Sequence, residues 1–191
     1  MKKVAVFGNA GAGKSTLARR LAEITGLPLY PIDMIQFPAG YRPEETDGGK
    51  ISHERFLEIH NGLLKQDRWI IDGYGSVASA WERFAAADTL VYIDLALPTH
   101  YWWVTKRLIG GLFRNPDGWP DNSPVWSSSL DSYRVVWRCH RGLTPKYRQL
   151  VAEASSTRRV HHLKSPATIG AFLEAVQVEH RAPDGSAAVG R

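Results

Sequence analysis

Short apolar runs that stop at a glycine or an aspartate alternate along this chain with longer stretches of helical period. Lys2 to Phe7 is such a run, and its lack of polar alternation predicts a strand buried on both faces. A helix is expected from about Ser15 to Thr25, because Leu17, Leu21 and Ile24 share one face and Gly26 supplies a C-terminal cap. Pro28 to Ile32 reads as the second strand, and residues 34–49, rich in proline, glycine and acids, as an exposed, mobile loop. Ser52 caps a helix from about His53 to Gln66 whose apolar positions Phe56, Ile59, Leu63 and Leu64 are candidates for burial. Trp69-Ile70-Ile71 is a third strand closing on Asp72; a short helix around Ala80 to Ala86 leads to the fourth, Leu90 to Ile93, closing on Asp94. Thr99 to Leu108 is helical, and residues 110–127 are rich in glycine and proline. Helical period resumes from Leu130 to about Ala154, interrupted by Gly142 and Pro145. Arg159 to Leu163 is the fifth strand, a last helix covers about Thr168 to Val178, and residues 181–191 read as a disordered tail.

Strands alternating with helices predict an α/β fold on a parallel sheet with right-handed crossovers. Ligands in such sheets bind at the carboxyl ends of the strands, where Gly8, Asp33, Asp72 and Asp94 all fall. With 191 residues, 43% of them hydrophobic, the chain suits one domain over residues 1–180. The formal net charge of +5 suits an anionic partner, and a nucleotide satisfies it as readily as a nucleic acid. Cys139 is the single cysteine, which excludes an intrachain disulfide framework and a cysteine zinc site and fits a reducing compartment. A cleavable leader would take the first strand with it, and no apolar run reaches the roughly 18–20 residues of a spanning helix, so the expectation is a cytoplasmic protein without a membrane segment.

The chemistry centres on Gly8-Asn9-Ala10-Gly11-Ala12-Gly13-Lys14-Ser15-Thr16, a G-x-x-x-x-G-K-S pattern between a buried strand and an amphipathic helix. Its glycines let successive N–H groups converge on phosphate oxygens, and the following helix adds the positive end of its dipole. Lys14 would meet the β- and γ-phosphates of ATP, Ser15 would ligate Mg²⁺, and Thr16 would line the α-phosphate side. Phosphoryl transfer also needs the metal held, the acceptor oriented and the developing charge neutralised. Asp33 can hold an acceptor or a metal-bound water; the competing reading is a cap or turn residue. Asp72 can hold the metal, and Asp94 reads as mostly structural. Arg107, Arg114, Arg138 and Arg141 flank the glycine- and proline-rich segment and are the candidates for a closing lid, with a solvated helix face as the alternative for each. Tyr101, Trp102, Trp103, Trp119, Trp126, Tyr133 and Trp137 crowd the same region, as core and lid packing or as a base-stacking surface. Basic residues outnumber acids from Arg134 to Lys164, but no nucleic-acid module accompanies them, which argues against a nucleic-acid partner.

Five features give the chain a resemblance to the adenylate kinase-like (nucleoside monophosphate kinase-like) P-loop kinases, and within them to the DNA topology modulation (FlaR-like) proteins. They are residues 2–8 running into the loop; Pro28-Leu29-Tyr30-Pro31-Ile32-Asp33; Trp69-Ile70-Ile71-Asp72-Gly73-Tyr74; residues 87–95; and Lys106-Arg107 followed by Arg114-Asn115-Pro116-Asp117. The resemblance implies a P-loop three-layer α/β/α sandwich on a five-stranded sheet in order 2-3-1-4-5. It also implies an acceptor-binding region at about 34–66 and a lid at about 110–128. Adenylate kinases follow their Asp-Gly pair with Phe-Pro-Arg, where this chain has Tyr74-Gly75-Ser76. The arginine that would hold a nucleoside monophosphate is therefore missing, and Arg138 and Arg141 are placed by helix geometry rather than by motif.

The resulting expectation is an ATP- and Mg²⁺-dependent kinase acting on a small-molecule or nucleotide acceptor, as a monomer or homodimer, with Lys14, Asp33, Arg107, Arg138 and Arg141 as its catalytic set. The alternative is a nucleotide-binding regulatory protein with weak ATPase activity, acting on a protein or DNA partner.

Overall fold

The computed structural model describes residues 1–38, 49–110 and 125–181, with backbone only for residues 110 and 125–131. Five strands, β1 (Lys3–Gly8), β2 (Leu29–Pro31), β3 (Trp69–Asp72), β4 (Thr89–Ile93) and β5 (Arg159–Leu163), form one parallel sheet in the order β2-β3-β1-β4-β5. This is the order the resemblance implied. Among the described residues eight helices accompany them: α1 (Lys14–Thr25), α2 (Ile32–Gln36), α3 (His53–Leu64), α4 (Val77–Ala86), α5 (Leu97–Gly110), α6 (Val125–Gly142), α7 (Thr144–Ala154) and α8 (Pro166–Arg181).

Strand alternation builds the three layers. Ala5, Phe7, Ile71, Leu90 and Tyr92 point to one face and pack with Phe56, Leu63, Phe84, Tyr147 and Val151 from α3, α4 and α7. Val4, Val6, Ile70, Val91 and Ile93 point to the other and pack with Leu17, Leu21, Phe172 and Val176 from α1 and α8. Residues of the central strands β1, β3 and β4 are thus buried whichever way they face, which is why their sequence shows no alternation, whereas the edge strands β2 and β5 are mostly half-buried.

Several boundaries differ from the sequence expectation for local reasons. Part of the expected 34–49 loop is helical: β2 stops at Pro31 and α2 starts at once, so Asp33 stands in a first helical turn. Helix α4 begins at Val77, because Ser76 and Ser79 exchange side-chain and backbone hydrogen bonds in a capping box. The long helical stretch after Leu130 is two helices, with Gly142 ending α6 and Pro145 seated in the first turn of α7. Residues 39–48, 111–124 and 182–191 lie outside the described residues, and with them most of the expected lid and nearly all of the expected tail. Among the described residues no helix is long and apolar enough to cross a membrane.

The α4 cap gives a stability prediction. Ser76→Ala removes the acceptor for the Ser79 amide and should cost about 1 kcal/mol. Urea unfolding should show a lower midpoint with an unchanged slope.

Candidate active site

The carboxyl ends of β1, β2 and β3 bring the glycine loop, Asp33 and Asp72 to one edge of the sheet. Gly13 is the residue before α1 and has φ 75°, a left-handed conformation; a Cβ there would also lie 2.7 Å from the Trp103 ring. Both facts require glycine. Lys14 Nζ donates to the Asn9 carbonyl at 2.9 Å, so the ammonium is held against the loop's own backbone. Asn9 is buried; its Nδ2 donates to the Val136 carbonyl at 3.0 Å and its Oδ1 accepts from the Ala10 amide at 2.7 Å, which ties the loop to α6.

The Ser15 hydroxyl donates to Asp72 Oδ2 at 2.6 Å. Asp72 is 3% exposed, and its other oxygen, Oδ1, is buried without a hydrogen-bond partner. Burial pushes the Asp72 carboxyl up to about 6, opposed by the Lys14 charge and the Ser15 hydrogen bond. A hydroxyl beside a carboxylate with an orphaned buried oxygen fits a hard divalent cation. Among the described residues no group of three or more acidic, histidine or cysteine side chains gathers to hold a metal. An ion between Ser15 and Asp72 would therefore draw most of its ligands from phosphate oxygens and water, as Mg²⁺ commonly does.

Asp33 retains some solvent contact. Burial nevertheless raises its pKa, while Lys14, Arg107, Lys50 and Arg83 pull it back down. Arg107 is partly buried and donates from Nη2 to the Ser132 hydroxyl at 2.6 Å; burial lowers its pKa and Asp33 raises it. The structure thus brings Lys14, Ser15, Asp33, Asp72 and Arg107 within one electrostatic neighbourhood. Arg138 and Arg141 do not join it: both are exposed on α6, Arg141 lies 5.7 Å from the Trp137 ring centroid, and neither is among the charges bearing most on Asp33 or Asp72. Arg114 and Trp119 lie outside the described residues, as does the Trp126 side chain.

The aromatic crowd divides between packing and surface. Tyr101 stacks on Tyr133 at 5.8 Å and the Tyr133 hydroxyl meets Thr105 at 2.6 Å, joining α5 to α6, whereas Trp102 is 61% exposed. Asp94 is structural: Arg148 clasps it with two donors at 2.8 and 3.0 Å and His162 Nε2 sits at 2.9 Å, pinning β4 to β5 and α7.

No protein-family model matches the chain, and no curated protein matches it either. Solved structures do. A shikimate kinase from Acinetobacter baumannii in complex with shikimate aligns over 94% of this chain and 93% of its own, with TM-score 0.59 and 16% identity. The chain has the fold of the P-loop kinases. A gluconokinase from Sinorhizobium meliloti 1021 aligns over 94% and 91% with TM-score 0.48 and 14% identity, too loosely to add to that conclusion.

Two buried polar residues beside the site escaped the sequence reading. Arg83 and His60, both 0% exposed, face each other between α4 and α3, with Arg83 Nη1 3.5 Å from His60 Nε2. The signal for Arg83 was a charge on the inward stripe of α4, between Ala80 and Phe84. Burial, then the Arg83 charge, depresses the His60 pKa below its ordinary 6.5, so the ring is neutral and accepts from the guanidinium.

A pH dependence follows. With the folded pKa depressed, the unfolded chain binds the proton first, so stability is fully present above about pH 6.5 and falls as pH drops below it. His100 and His161, also depressed by burial, act in the same direction. The Asp72 carboxyl, raised to about 6, titrates in the same interval with the opposite sign, so the histidine contribution is read by difference: in melting temperatures measured from pH 8 to 5.5, His60→Gln, which stays neutral, should lose less stability than the wild type as pH falls.

Proposed function

We propose that this protein is an ATP- and Mg²⁺-dependent phosphotransferase whose acceptor is a small hydroxylated molecule bound beside Asp33. The observation that carries this reading is the convergence of Lys14, Asp33 and Arg107 with the Ser15–Asp72 pair at the sheet's carboxyl edge. The kinase fold agrees with it. The missing acceptor-site arginine at Ser76 argues for a small hydroxylated acceptor over a nucleoside monophosphate.

Each residue's part follows from its surroundings. Loop amides and the α1 dipole receive the phosphates, and Lys14 exchanges the Asn9 carbonyl for a phosphate oxygen. Ser15 and Asp72 would hold Mg²⁺, which when bound would supply charge neutralisation for the phosphates. Asp33, its basicity raised by burial, accepts the proton of the acceptor hydroxyl as that oxygen bonds to the γ-phosphorus and the bond to the departing ADP oxygen breaks. Arg107, held in place by Ser132, stabilises the charge on the transferred group. Arg138 and Arg141 reach that group only if the exposed face of α6 is brought over the site; their role as lid arginines is part of this proposal and does not carry it.

Two measurements test it. Isothermal titration with Mg·ATP should show binding by the wild type that falls at least tenfold in Lys14→Ala; equally weak binding by both would remove the donor site. Asp33→Asn should reduce acceptor-dependent ATP consumption by about 10²-fold or more while leaving Mg·ATP affinity within a few-fold. Unchanged turnover would exclude the proton-accepting role.

A further inference from the structure

Arg83 has no solvent exposure, and burying a guanidinium is costly unless its partners offset the lost hydration. Nη2 donates to the carbonyls of Gly73 at 2.7 Å and Tyr74 at 3.0 Å, Nη1 meets His60 Nε2 at 3.5 Å, and Nε has no partner among the described residues. One nitrogen thus gathers two successive carbonyls of the turn that follows β3, and the other end of the fork reaches α3. Burial pulls the Arg83 pKa down to about 10, with Tyr147, Asp72 and Asp33 acting in the opposite direction, so the side chain stays charged at neutral pH.

What rests on that turn is Ile32. A Cβ added at Gly73 would lie 3.0 Å from Ile32 Cβ, and one at Gly75 would lie 3.3 Å from Ile32 Cγ2 and 3.0 Å from the Phe56 ring. The backbone of both glycines therefore lies directly against the Ile32 side chain. Ile32 opens α2 and is its one buried residue; Asp33 comes next. Little else fixes the start of that helix, which has five residues and no side-chain cap. A helix so short is not stable on its own and takes its place from packing. The placement of Asp33 thus depends on the seat beneath Ile32, and that seat is the segment Arg83 clamps.

We propose that Arg83 is a positioning residue for Asp33: by gathering the Gly73 and Tyr74 carbonyls it fixes the turn on which Ile32 sits, and so sets how α2 presents Asp33 to the acceptor hydroxyl. The role of Asp33 in this statement rests on the phosphotransferase reading above. Asp72 needs the clamp less. It is paired in the sheet with Val6 on one side and Pro31 on the other, and its carboxylate is held by Ser15. Asp33 lies beyond the end of β2 and has no such framework. The charges agree with the contacts: against the burial that raises the Asp33 pKa, Lys14, Arg107, Lys50 and Arg83 all favour the ionised form, which is the form that accepts a proton. Arg83 differs from the other three in being fully buried and bonded to the main chain on which the α2 start is seated.

The test follows the Asp33 amide and the Ile32 methyl groups by ¹⁵N and ¹³C NMR in the free, full-length protein. Its second readout is steady-state phosphate release from Mg·ATP, with water serving as acceptor. Arg83→Met removes the clamp and should displace both sets of resonances. Arg83→Lys offers one ammonium to the two carbonyls but leaves His60 unmet, and should displace them by less than half as much. Val151→Ala, which opens a cavity in the same core from α7, should leave them in place. In turnover, Arg83→Lys should lower kcat about threefold or more with KM for Mg·ATP within twofold, and should cause no further loss in an Asp33→Asn background. The NMR contrast between Arg83→Lys, Val151→Ala and the wild type decides where Arg83→Met does not fold or water is not turned over. Wild-type positions for Asp33 and Ile32 in Arg83→Lys, equal displacement by Val151→Ala, or an undiminished Arg83→Lys loss in the Asp33→Asn background would each overturn the proposal. Failure of the phosphotransferase reading shows separately, as absence of Lys14-dependent Mg·ATP binding with the NMR displacements intact.

Discussion

The hydrogen bond from Ser15 to Asp72, 2.6 Å long, joins residues 57 positions apart and marks the point on which the site's geometry turns. It forms because β1 lies beside β3 in parallel register, with Val6 opposite Asp72, so that the loop leaving one strand passes the carboxylate ending the other. Parallel pairing of this kind needs a helical crossover between strands, and the crossover from β2 to β3 carries α2 and α3. The glycine loop after β1 and Asp33 after β2 are thereby set on either side of the strand that ends in Asp72.

Charge in this region is managed by burial rather than by surface pairing. Asp72 and Asp33 are both pushed toward the neutral form by desolvation and drawn back by cations, Lys14 in first place. Arg83 adds to the field on both carboxylates from beneath the turn. Surface pairs such as Arg19–Glu23, about half exposed, contribute little by comparison. Lys14 in its present position caps the Asn9 carbonyl, so the loop's curvature is supported by the same ammonium that a phosphate would compete for.

Much of this was legible in the sequence where one residue type has one physical use. The glycine, lysine and serine pattern points to a phosphate by its residue types, and the uninterrupted apolar strands required helices on both faces, which the structure shows. Asp33 and Asp72 were visible as acids ending apolar runs, although the helical start at Ile32 was hidden because a proline before it reads equally as strand or cap. What stayed hidden depends on three-dimensional pairing. Arg83 looks in sequence like any helix arginine until α3 and the 73–75 turn close over it, and Asp94 meets Arg148 and His162 only once α7 and β5 dock. Arg138 and Arg141 share a helix face, as their spacing required, but spacing alone does not say that the face is turned outward.

The bond from Asn9 to α6 has a lopsided character: one partner is a side chain and the other is the main-chain carbonyl of Val136. Every residue type offers that carbonyl, so substitutions at position 136 are filtered by core volume alone, whereas at position 9 only a short side chain with both a donor and an acceptor can bridge Ala10 and α6 together. The mechanical link between the glycine loop and α6 therefore tolerates any side chain of suitable volume at its helix end and very few at its loop end.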